Sequence, residues 1–393
     1  MDMHHQRTAV LAHPSPDRYG SDLQALETIS ALVARGWRTV VALPASGVFG
    51  PLARARGAET RIVPFPTVNR ALLAPRAATA FAYRSAGALG PITRGLRHLR
   101  PEAVLVNTLT EPIWPLAAAL TGVPCLVHVH EAEQDAGRLA RTALASQLLL
   151  ADRVVVNSEA AARALTEVLP GLDSRLQRIY NGVPGPGSHT RESRDLTRGG
   201  ARSAHGDPGA ARIALLGRLS PRKGTDVALE AVAALRSSGR RVHLDLYGEV
   251  FEGYEWFEEQ LRRRAAQPDL AGAVSFHGYV RPIWSALSAS ALVIVPSRTE
   301  PFGNVAVEAM LAGRPVIASR VQGLAEIVRD GVTGLQVTPG DPGDLAHAIA
   351  RALEDPAFAA RLADAGRRDA KERFSVTRYR TEIANALEAI SRE

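Results

Sequence analysis

"ALVIVPSRTEPFGNVAVEAMLAGRPVIAS", residues 291–319, joins two short β-branched apolar runs through a segment with a helical pattern. The first run ends at Pro296, and the second spans residues 314–319. A strand, a helix and a second strand in this order are typical of a βαβ unit in a parallel sheet. The stretch therefore predicts the fold class, and the two acidic residues inside it, Glu300 and Glu308, need a separate explanation.

The same alternation of apolar runs and helical patterns extends along the whole chain. It predicts strands at residues 8–13, 38–43, 60–65, 103–108, 125–130 and 153–158, and at residues 212–217, 241–248, 273–278, 291–297 and 314–319. Between the two series, residues 185–210 are polar and rich in Gly, Ser and Arg, which is typical of a linker or a mobile loop. We therefore predict an α/β protein of two doubly wound, Rossmann-like domains, residues 1–184 and 211–374, facing a central cleft.

Composition narrows the classes of partner. The net charge of +7 and the pI near 10 would ordinarily suggest nucleic acid, an anionic membrane or a phosphorylated ligand. Lysine occurs only at positions 223 and 371, however, so arginine supplies nearly all of the positive charge, a bias typical of a GC-rich genome. We therefore discount the pI and expect no nucleic-acid partner. Cys125 is the only cysteine and the N-terminus has no signal-peptide pattern, so we expect a cytoplasmic protein.

The segment GRLSPRKG, residues 217–224, lies between a predicted strand and a predicted helix. Gly217 lets the backbone approach a ligand closely, and Arg218 and Lys223 near a helix start suit an anion with more than one phosphate. In a dry cleft the same cations would stabilise the charge on a departing pyrophosphate. Taken alone, so short a motif is more often a solvated surface loop, but the rarity of lysine in this chain singles out Lys223.

Glu300 precedes a proline, and such a residue is biased away from helical torsions, so we expect it in a loop. Residues 302–304 should then begin a helix whose first N–H groups can bind phosphate or sugar oxygens. Helical geometry would place the carboxylates of Glu300 and Glu308 about 10 Å apart, which suits the two ends of a sugar nucleotide. We expect Glu300 to bind sugar hydroxyls and Glu308 the ribose diol. The structural alternative is a Glu308 paired with an arginine.

Together these segments resemble the retaining GT-B glycosyltransferases of family 4, and the likeness covers nearly the whole chain. Its most specific element is the E-x7-E pattern from Glu300 to Glu308, supported by GRLSPRKG at 217–224, GLAEIVRDGVTGLQV at 323–337 and IYNGV at 179–183. The resemblance implies that Arg218 and Lys223 bind the donor pyrophosphate, and that residues 375–393 form a last helix crossing back to the N-terminal domain. It also implies a donor site completed by Glu308 and by Glu300 with the backbone at Phe302, Gly303, Asn304 and Val305.

Two residues of the N-terminal half are further candidates for the site. Gly20 lies before a helix that Ser21 or Asp22 could cap, so that helix start could face the donor phosphate. Many family members have two adjacent glycines here, whereas this chain has one. His130, at a predicted strand end, matches the family histidine that faces the reacting sugar. We assign His128 to the opposite side of that strand and to a structural role.

Other chemistries find less support. A metal site in the HVHE segment, residues 128–131, lacks a third ligand, and no Asp-x-Asp pair lies at a strand end, so we expect no metal and no cofactor. Glycoside hydrolysis by Glu300 and Glu308 would need carboxylates roughly 5–9.5 Å apart and no phosphate loop.

The resemblance thus implies transfer of a sugar from a nucleoside diphosphate sugar to an acceptor hydroxyl, with retained configuration, by same-face displacement. The acceptor stays open between a small molecule, a glycan and a lipid-linked compound. A non-catalytic sugar-nucleotide or lipid-surface binding protein on the same fold is the alternative. A basic face for peripheral contact with the inner side of the membrane, or codon bias alone, would explain the arginines at 76, 84, 94, 97 and 100.

Overall fold

The computed structural model describes residues 6–14, 20–68, 75–131, 137–187, 209–251 and 253–391. Most of the predicted linker, residues 185–210, lies outside the described residues. The chain divides into two compact units, one formed by Met1–Gly182 with Val376–Glu393 and the other by Val183–Ser375.

The first unit contains a parallel sheet with helices on both sides. Its strands are β1 Thr8–Ala12, β2 Arg38–Leu43, β3 Glu59–Ile62, β4 Ala103–Val106, β5 Cys125–Val129, β6 Arg153–Val156 and β7 Leu176–Arg178. Its helices are α1 Gly20–Ala34, α2 Phe49–Ala55, α3 Pro75–Leu99, α4 Ile113–Thr121, α5 Arg138–Ala145, α6 Glu159–Thr166 and, at the end of the chain, α14 Val376–Ile390. Among the described residues the strand order is β3-β2-β1-β4-β5-β6-β7.

Strand β1 shows why these strands are continuous apolar runs. Val10 and Ala12 belong to a core on one face of the sheet, and Ala9 and Leu11 belong to a core on the other face. All four are 2% exposed or less, so both faces are covered by helices. A parallel sheet that is covered on both faces has no polar side, so its strands lack the alternation of apolar and polar residues that half-exposed strands show.

The last helix, α14, is part of the first unit because it packs on α1 and on the IYNGV segment. A Cβ on Gly182 would lie 2.6 Å from the Cβ of Tyr379, so only glycine permits this approach. The side-chain amide of Gln24 pairs with the backbone N–H and C=O of Gly182 at 3.1 and 2.9 Å. The hydroxyl groups of Thr28 and Tyr379 are 2.6 Å apart. The IYNGV segment thus serves the attachment of the last helix.

The second unit repeats the architecture. Its strands are β8 Ala211–Leu216, β9 Val242–Tyr247, β10 Val274–Phe276, β11 Leu292–Val295, β12 Val316–Ser319 and β13 Leu335–Val337. Its helices are α7 Thr225–Ser237, α8 Glu255–Ala265, α9 Trp284–Ser288, α10 Asn304–Leu311, α11 Gln322–Ile327, α12 Pro342–Glu354 and α13 Pro356–Arg373. In the described part of this unit the order is β10-β9-β8-β11-β12-β13, again parallel.

The prediction of two doubly wound sheets is confirmed. Each of the eleven predicted strands overlaps an observed one, although most observed strands end earlier than predicted. The sequence did not predict β7 and β13, which have three residues each and a polar residue in the middle. Such short runs carry too little periodicity to be recognised without the neighbouring strand that pairs with them.

Candidate functional site

Lys223 and Glu300 form an ion pair at the carboxyl end of the second sheet. Lys223 ends a short 3₁₀ helix that follows β8, and Glu300 lies in the loop that follows β11. Strands β8 and β11 are neighbours in the sheet, and the strand order reverses between them. Ligands of doubly wound folds bind at this kind of switch point, so the pair occupies the place where a binding site is expected.

The two loops that carry Lys223 and Glu300 are joined to each other. The backbone N–H of Arg298 donates to the carbonyl of Arg222 at 2.8 Å, and its guanidinium binds both carboxylate oxygens of Asp226. Gly224 has φ +67°, and a Cβ there would lie 2.0 Å from the carbonyl oxygen of Pro296. Glycine is therefore required at residue 224 for both its torsion angle and its close contact with the β11 loop.

Glu300 is held from several sides. Its backbone N–H donates to Oε1 of Gln322 at 2.8 Å, and its carbonyl accepts from Gly323 N–H at 3.1 Å. The hydroxyl of Ser297 donates to the Glu300 carboxylate at 3.4 Å. The sequence did not point to Gln322, because its role depends on an unusual backbone with φ +37° that no local pattern predicts. As a result the carboxylate has a fixed position beside the ammonium group of Lys223.

Helix α10 begins at Asn304, immediately after Gly303, and Val305 lies in its first turn. Gly303 has φ +117°, and a Cβ there would lie 2.5 Å from Cδ2 of Leu324. Phe302 is 3% exposed, and its ring packs edge-on against Phe374 with centroids 5.7 Å apart. The phenylalanine ring thus holds this segment in the core. The part of the segment that suits ligand binding is the backbone at the start of α10.

Glu308 lies on the buried side of α10 and is 7% exposed. Burial raises the pKa of its carboxyl group, and the guanidinium of Arg281 opposes that increase. The nearest atoms of this pair, Oε1 of Glu308 and Nη1 of Arg281, are 3.9 Å apart, which is beyond hydrogen-bond distance. The arginine of the structural alternative is therefore present, but it leaves the carboxylate oxygens able to accept hydrogen bonds from a ligand. Nothing in the sequence singled out Arg281.

Arg218 follows Gly217 in the loop after β8. Its guanidinium carbon lies 3.3 Å from the centroid of the Phe251 ring, a cation–π contact that orients the side chain. Gly217 has φ +130°, and its carbonyl oxygen would be 1.8 Å from a Cβ on Gly248, so the loops after β8 and β9 also approach closely. The motif at residues 217–224 is therefore a packed loop.

A second polar cluster lies in the first unit, at the carboxyl ends of β1, β4 and β5. Asp22 Oδ1 is 3.1 Å from His13 Nε2, but the two groups are not aligned as a hydrogen bond. His13 Nδ1 is 3.1 Å from Asn107 Nδ2, and Asn107 Oδ1 is 3.0 Å from His130 Nε2. Asp22, His13 and Asn107 are at most 1% exposed. We call these four residues the histidine relay.

The structure corrects one prediction about β5. We expected His128 and His130 on opposite sides of the strand, which is wrong, because residues two apart in a strand share a face. Their rings lie 4.0 Å apart between centroids. Burial lowers the pKa of His130 to about 3, with His13 adding to the decrease and Asp22 opposing it. Burial also lowers the pKa of His128 well below its usual range. Both imidazoles are neutral at physiological pH.

The remaining sequence-based site residue of this unit is Gly20, the first residue of α1. Asp22 lies inside the first turn of that helix and its carboxylate faces His13, so it belongs to the relay. His13 and Asn107 carried no sequence signal, because residues 94 positions apart meet only when β1 and β4 pair. Asp22 was noted only as a helix cap for the same reason.

Within the described ranges, no group of three or more His, Cys, Asp or Glu side chains could hold a metal ion. In the same part of the chain, no helix combines the length and the apolar character needed to cross a bilayer.

Comparison with solved structures identifies the fold class of the protein. Anabaena HepE, solved with UDP and glucose, superposes with a TM-score of 0.78 at 24% identity, over 98% of this chain and 100% of that chain. A glycosyltransferase from Rickettsia africae superposes with a TM-score of 0.81 at 18% identity, over 98% and 99% of the two chains. With its two doubly wound units, the protein therefore has the GT-B fold.

Family models match both units. The model described as Glycosyltransferase Family 4 matches residues 20–184, and the model described as Glycosyl transferases group 1 matches residues 210–355. The chain belongs to the group 1 glycosyltransferases of family 4, as the sequence motifs predicted.

Curated relatives are similar over parts of their length. A D-inositol 3-phosphate glycosyltransferase from a Nocardioides species is 36% identical over 229 residues, which is 54% of this chain and 48% of the relative. A glycogen synthase from Mycobacterium tuberculosis is 29% identical over 310 residues, or 75% and 70% of the two chains. The chain spans about half the length of the D-inositol 3-phosphate glycosyltransferases that it matches.

Proposed function

We propose that the protein is a retaining glycosyltransferase that moves a sugar from a nucleoside diphosphate sugar to an acceptor hydroxyl. The observation that carries this proposal is the pairing of Lys223 with Glu300 at the switch point of the second sheet. HepE, a protein of the same fold, has been solved with UDP-glucose. That complex supports a nucleotide-sugar donor.

In the proposed reaction, Lys223 and Arg218 stabilise the negative charge that grows on the departing pyrophosphate. An ammonium group has three N–H donors, so Lys223 can bind a phosphate oxygen while it stays in contact with Glu300. Glu300, fixed by that contact and by Gln322, accepts hydrogen bonds from hydroxyl groups of the transferred sugar. The pair thus binds the phosphate and the sugar on its two sides.

The helix start at residues 303–305 and Glu308 complete the proposed donor site. The first N–H groups of a helix point toward an anion, and the helix dipole favours negative charge there. Glu308, one to two turns further along α10, accepts hydrogen bonds from the ribose diol. Gly217 allows a close approach of the loop backbone, and the start of α1 at Gly20 is a further candidate for phosphate contact.

The stereochemical part of the proposal follows from the family resemblance. The acceptor oxygen bonds to the anomeric carbon on the face from which the phosphate leaves, while the bond from that carbon to the phosphate oxygen breaks. The leaving phosphate takes the proton of the acceptor hydroxyl. Because Lys223 and Arg218 supply the positive charge, the reaction is expected to need no metal ion or other cofactor.

The test has two stages. A panel of nucleoside diphosphate sugars is first screened for the donor by thermal shift, because a bound ligand raises the melting temperature. The stabilising donor is then incubated with small-molecule, glycan and lipid-linked acceptors, with a cyclitol phosphate among the first because of the names of the relatives. We expect nucleoside diphosphate to be released only when an acceptor is present, in EDTA as well as in buffer, and NMR to show a retained anomeric configuration.

Three other results would contradict the proposal. Tight donor binding without product for any acceptor class would favour a non-catalytic sugar-nucleotide binding protein. Release of free sugar without acceptor would indicate hydrolysis. An inverted configuration in the product would exclude the same-face displacement mechanism.

We also propose that α3 provides the peripheral contact with an anionic membrane. Between Pro75 and Leu99 the helix contains four arginines and no acidic residue, and Tyr83 near its middle is 83% exposed. A basic helix with exposed aromatic residues binds anionic lipid surfaces. Sedimentation with vesicles that contain phosphatidylglycerol should recover the protein, whereas an Arg76→Glu/Arg84→Glu variant should remain in the supernatant. Equal recovery of both proteins, or none with either, would contradict membrane contact through this helix.

A further inference from the structure

We infer that Asp22, His13 and Asn107 are positioning residues that fix the tautomer of His130, so that its Nδ1 accepts a hydrogen bond from a hydroxyl of a bound sugar. The inference deepens the proposed function, and it rests on that function only for the identity of the hydroxyl. The tautomer itself follows from the geometry of the histidine relay in the first unit.

The relay starts at the carboxyl group of Asp22. Its Oδ1 lies 3.1 Å from His13 Nε2 without the alignment of a hydrogen bond, and a carboxylate beside that nitrogen favours a proton on it. A neutral imidazole carries one proton, so His13 Nδ1 is then an acceptor. It accepts from the side-chain NH₂ of Asn107, whose Nδ2 is 3.1 Å away.

The orientation of the Asn107 amide determines which nitrogen of His130 carries the proton. With its NH₂ group turned to His13, its oxygen faces Nε2 of His130 at 3.0 Å. A carbonyl oxygen accepts, so His130 must carry its proton on Nε2. The second nitrogen of the neutral ring, Nδ1, is left as an acceptor.

The opposite arrangement would require a proton on Nδ1 of His13. That nitrogen would then donate, so the amide of Asn107 would have to turn its oxygen to His13. Its NH₂ group would then donate to Nε2 of His130, and the His130 proton would move to Nδ1. The two arrangements present opposite groups to a ligand, because Nδ1 of His130 accepts a hydrogen bond in the first and donates one in the second. A measurement of which ring nitrogen carries the proton therefore distinguishes them.

His130 has the exposure that a ligand contact requires. It lies directly after β5 and is partly exposed, whereas the other three residues of the relay are buried. Its Nε2 faces Asn107, and its ring lies beside the ring of His128. Because burial lowers the pKa of His130 to about 3, the ring stays neutral and recognises a hydroxyl by accepting a hydrogen bond from it, not by charge.

The direct test is ¹⁵N NMR of the full-length protein labelled at histidine, at pH 7.5. Two-bond ¹H–¹⁵N correlations distinguish a protonated from an unprotonated ring nitrogen, and a His130→Asn variant identifies the signals. We expect an unprotonated Nδ1 and a protonated Nε2 in His130. A wild-type spectrum with the proton on Nδ1 would overturn the inference.

Two variants test whether the relay causes this tautomer. Asp22→Asn and Asn107→Leu should give a mixture of His130 tautomers and lower kcat roughly tenfold to a hundredfold, by analogy with the loss of groups that orient metal-ligating histidines. Asn107→Asp keeps an acceptor for Nε2 and should retain the wild-type tautomer of His130. Glu27→Gln, on the same helix as Asp22 but outside the relay, should change neither the tautomer nor kcat.

The outcomes separate this inference from the proposed function. An unchanged tautomer in Asp22→Asn and Asn107→Leu would refute the relay even if the enzyme transfers sugar. The expected tautomers together with no transferase activity would leave the relay intact and refute the proposed function.

Discussion

The two polar clusters of the molecule use different chemistry. In the second unit, Lys223 and Glu300 form a charged pair on two loops that meet at the sheet edge. In the first unit, His130 is the neutral end of a series of polar contacts that begins at the buried carboxyl group of Asp22. A diphosphate needs charge to balance it, whereas a sugar hydroxyl needs an acceptor in a fixed direction. This difference is the reason why we propose phosphate binding for the second unit and hydroxyl recognition for the first.

The largest effect is expected from removing the charge in the second unit. In Lys223→Ala, the growing charge on the pyrophosphate would lose a cation, and kcat should fall roughly 10²–10³-fold. Steady-state kinetics with the identified donor and acceptor measure this change. The chain offers a matched control in its other lysine, because Lys371→Ala on the exposed side of α13 should keep wild-type kcat.

The Lys223→Ala variant also leaves Glu300 without its cation, so its fold must be checked. A melting temperature close to that of the wild type, together with a large loss of kcat, assigns the loss to chemistry. A folded variant with near-normal turnover would remove Lys223 from the mechanism.

A stability effect of about 3 kcal/mol is expected when the contact between the β8 and β11 loops is disturbed. Gly224→Ala combines a left-handed torsion angle with a Cβ that would lie 2.0 Å from the Pro296 carbonyl oxygen, and such strain and overpacking cost about 3 kcal/mol together. Gly122→Ala is the control, since Gly122 has φ +68° with no atom within 4 Å of the added Cβ, and it should cost about 1 kcal/mol. Urea unfolding of both variants gives the difference. Equal losses would show that the loops can separate at little cost.

A pH-dependent effect distinguishes the buried glutamates of the two units. Glu308 faces Arg281, whereas Glu111, before α4, is fully buried, and neither of its carboxylate oxygens has a hydrogen-bond partner among the described residues. Burial raises the pKa of Glu111 well above its ordinary value of 4.5, and the carboxylate of Glu131 adds to the increase. The folded protein therefore retains a proton that the unfolded chain loses above pH 4.5.

Stability should consequently fall as the pH rises from 4.5 toward the raised pKa of Glu111, by up to about 1.4 kcal/mol per pH unit. Glu111→Gln removes this titration. In urea unfolding, the free energy of unfolding of the variant should therefore rise relative to that of the wild type as the pH increases from 5 to 8. A difference in unfolding free energy that is constant with pH would show that Glu111 titrates normally in the fold.

Sequence reasoning succeeded where one segment contains both the element and its chemistry. Strand β8 and the loop with Gly217 and Lys223 that follows it lie in one short segment, and β11 and the loop with Glu300 lie in another, so local patterns predicted the strands and their loops. The roles of the two charged residues stay a prediction. The position of Glu300 before proline placed it in a loop correctly.

It failed where contacts join distant segments. Asn107 and His13 meet because β1 and β4 are neighbours in the sheet, and Arg281 approaches Glu308 from a loop 27 residues earlier in the chain. Gln322 supports Glu300 through a left-handed torsion angle that a glutamine rarely adopts. Such residues have no periodicity or motif of their own, and only the folded arrangement identifies them.

The central claim is that a diphosphate binds beside Lys223 and Glu300 in the second unit. A crystal structure of the protein with the nucleoside diphosphate selected by thermal shift tests it most directly. We predict phosphate oxygens within hydrogen-bond distance of Lys223 Nζ and of the Arg218 guanidinium, with the ribose hydroxyls at Glu308. A diphosphate bound elsewhere on the protein, with Lys223 contacting only Glu300, would contradict the account.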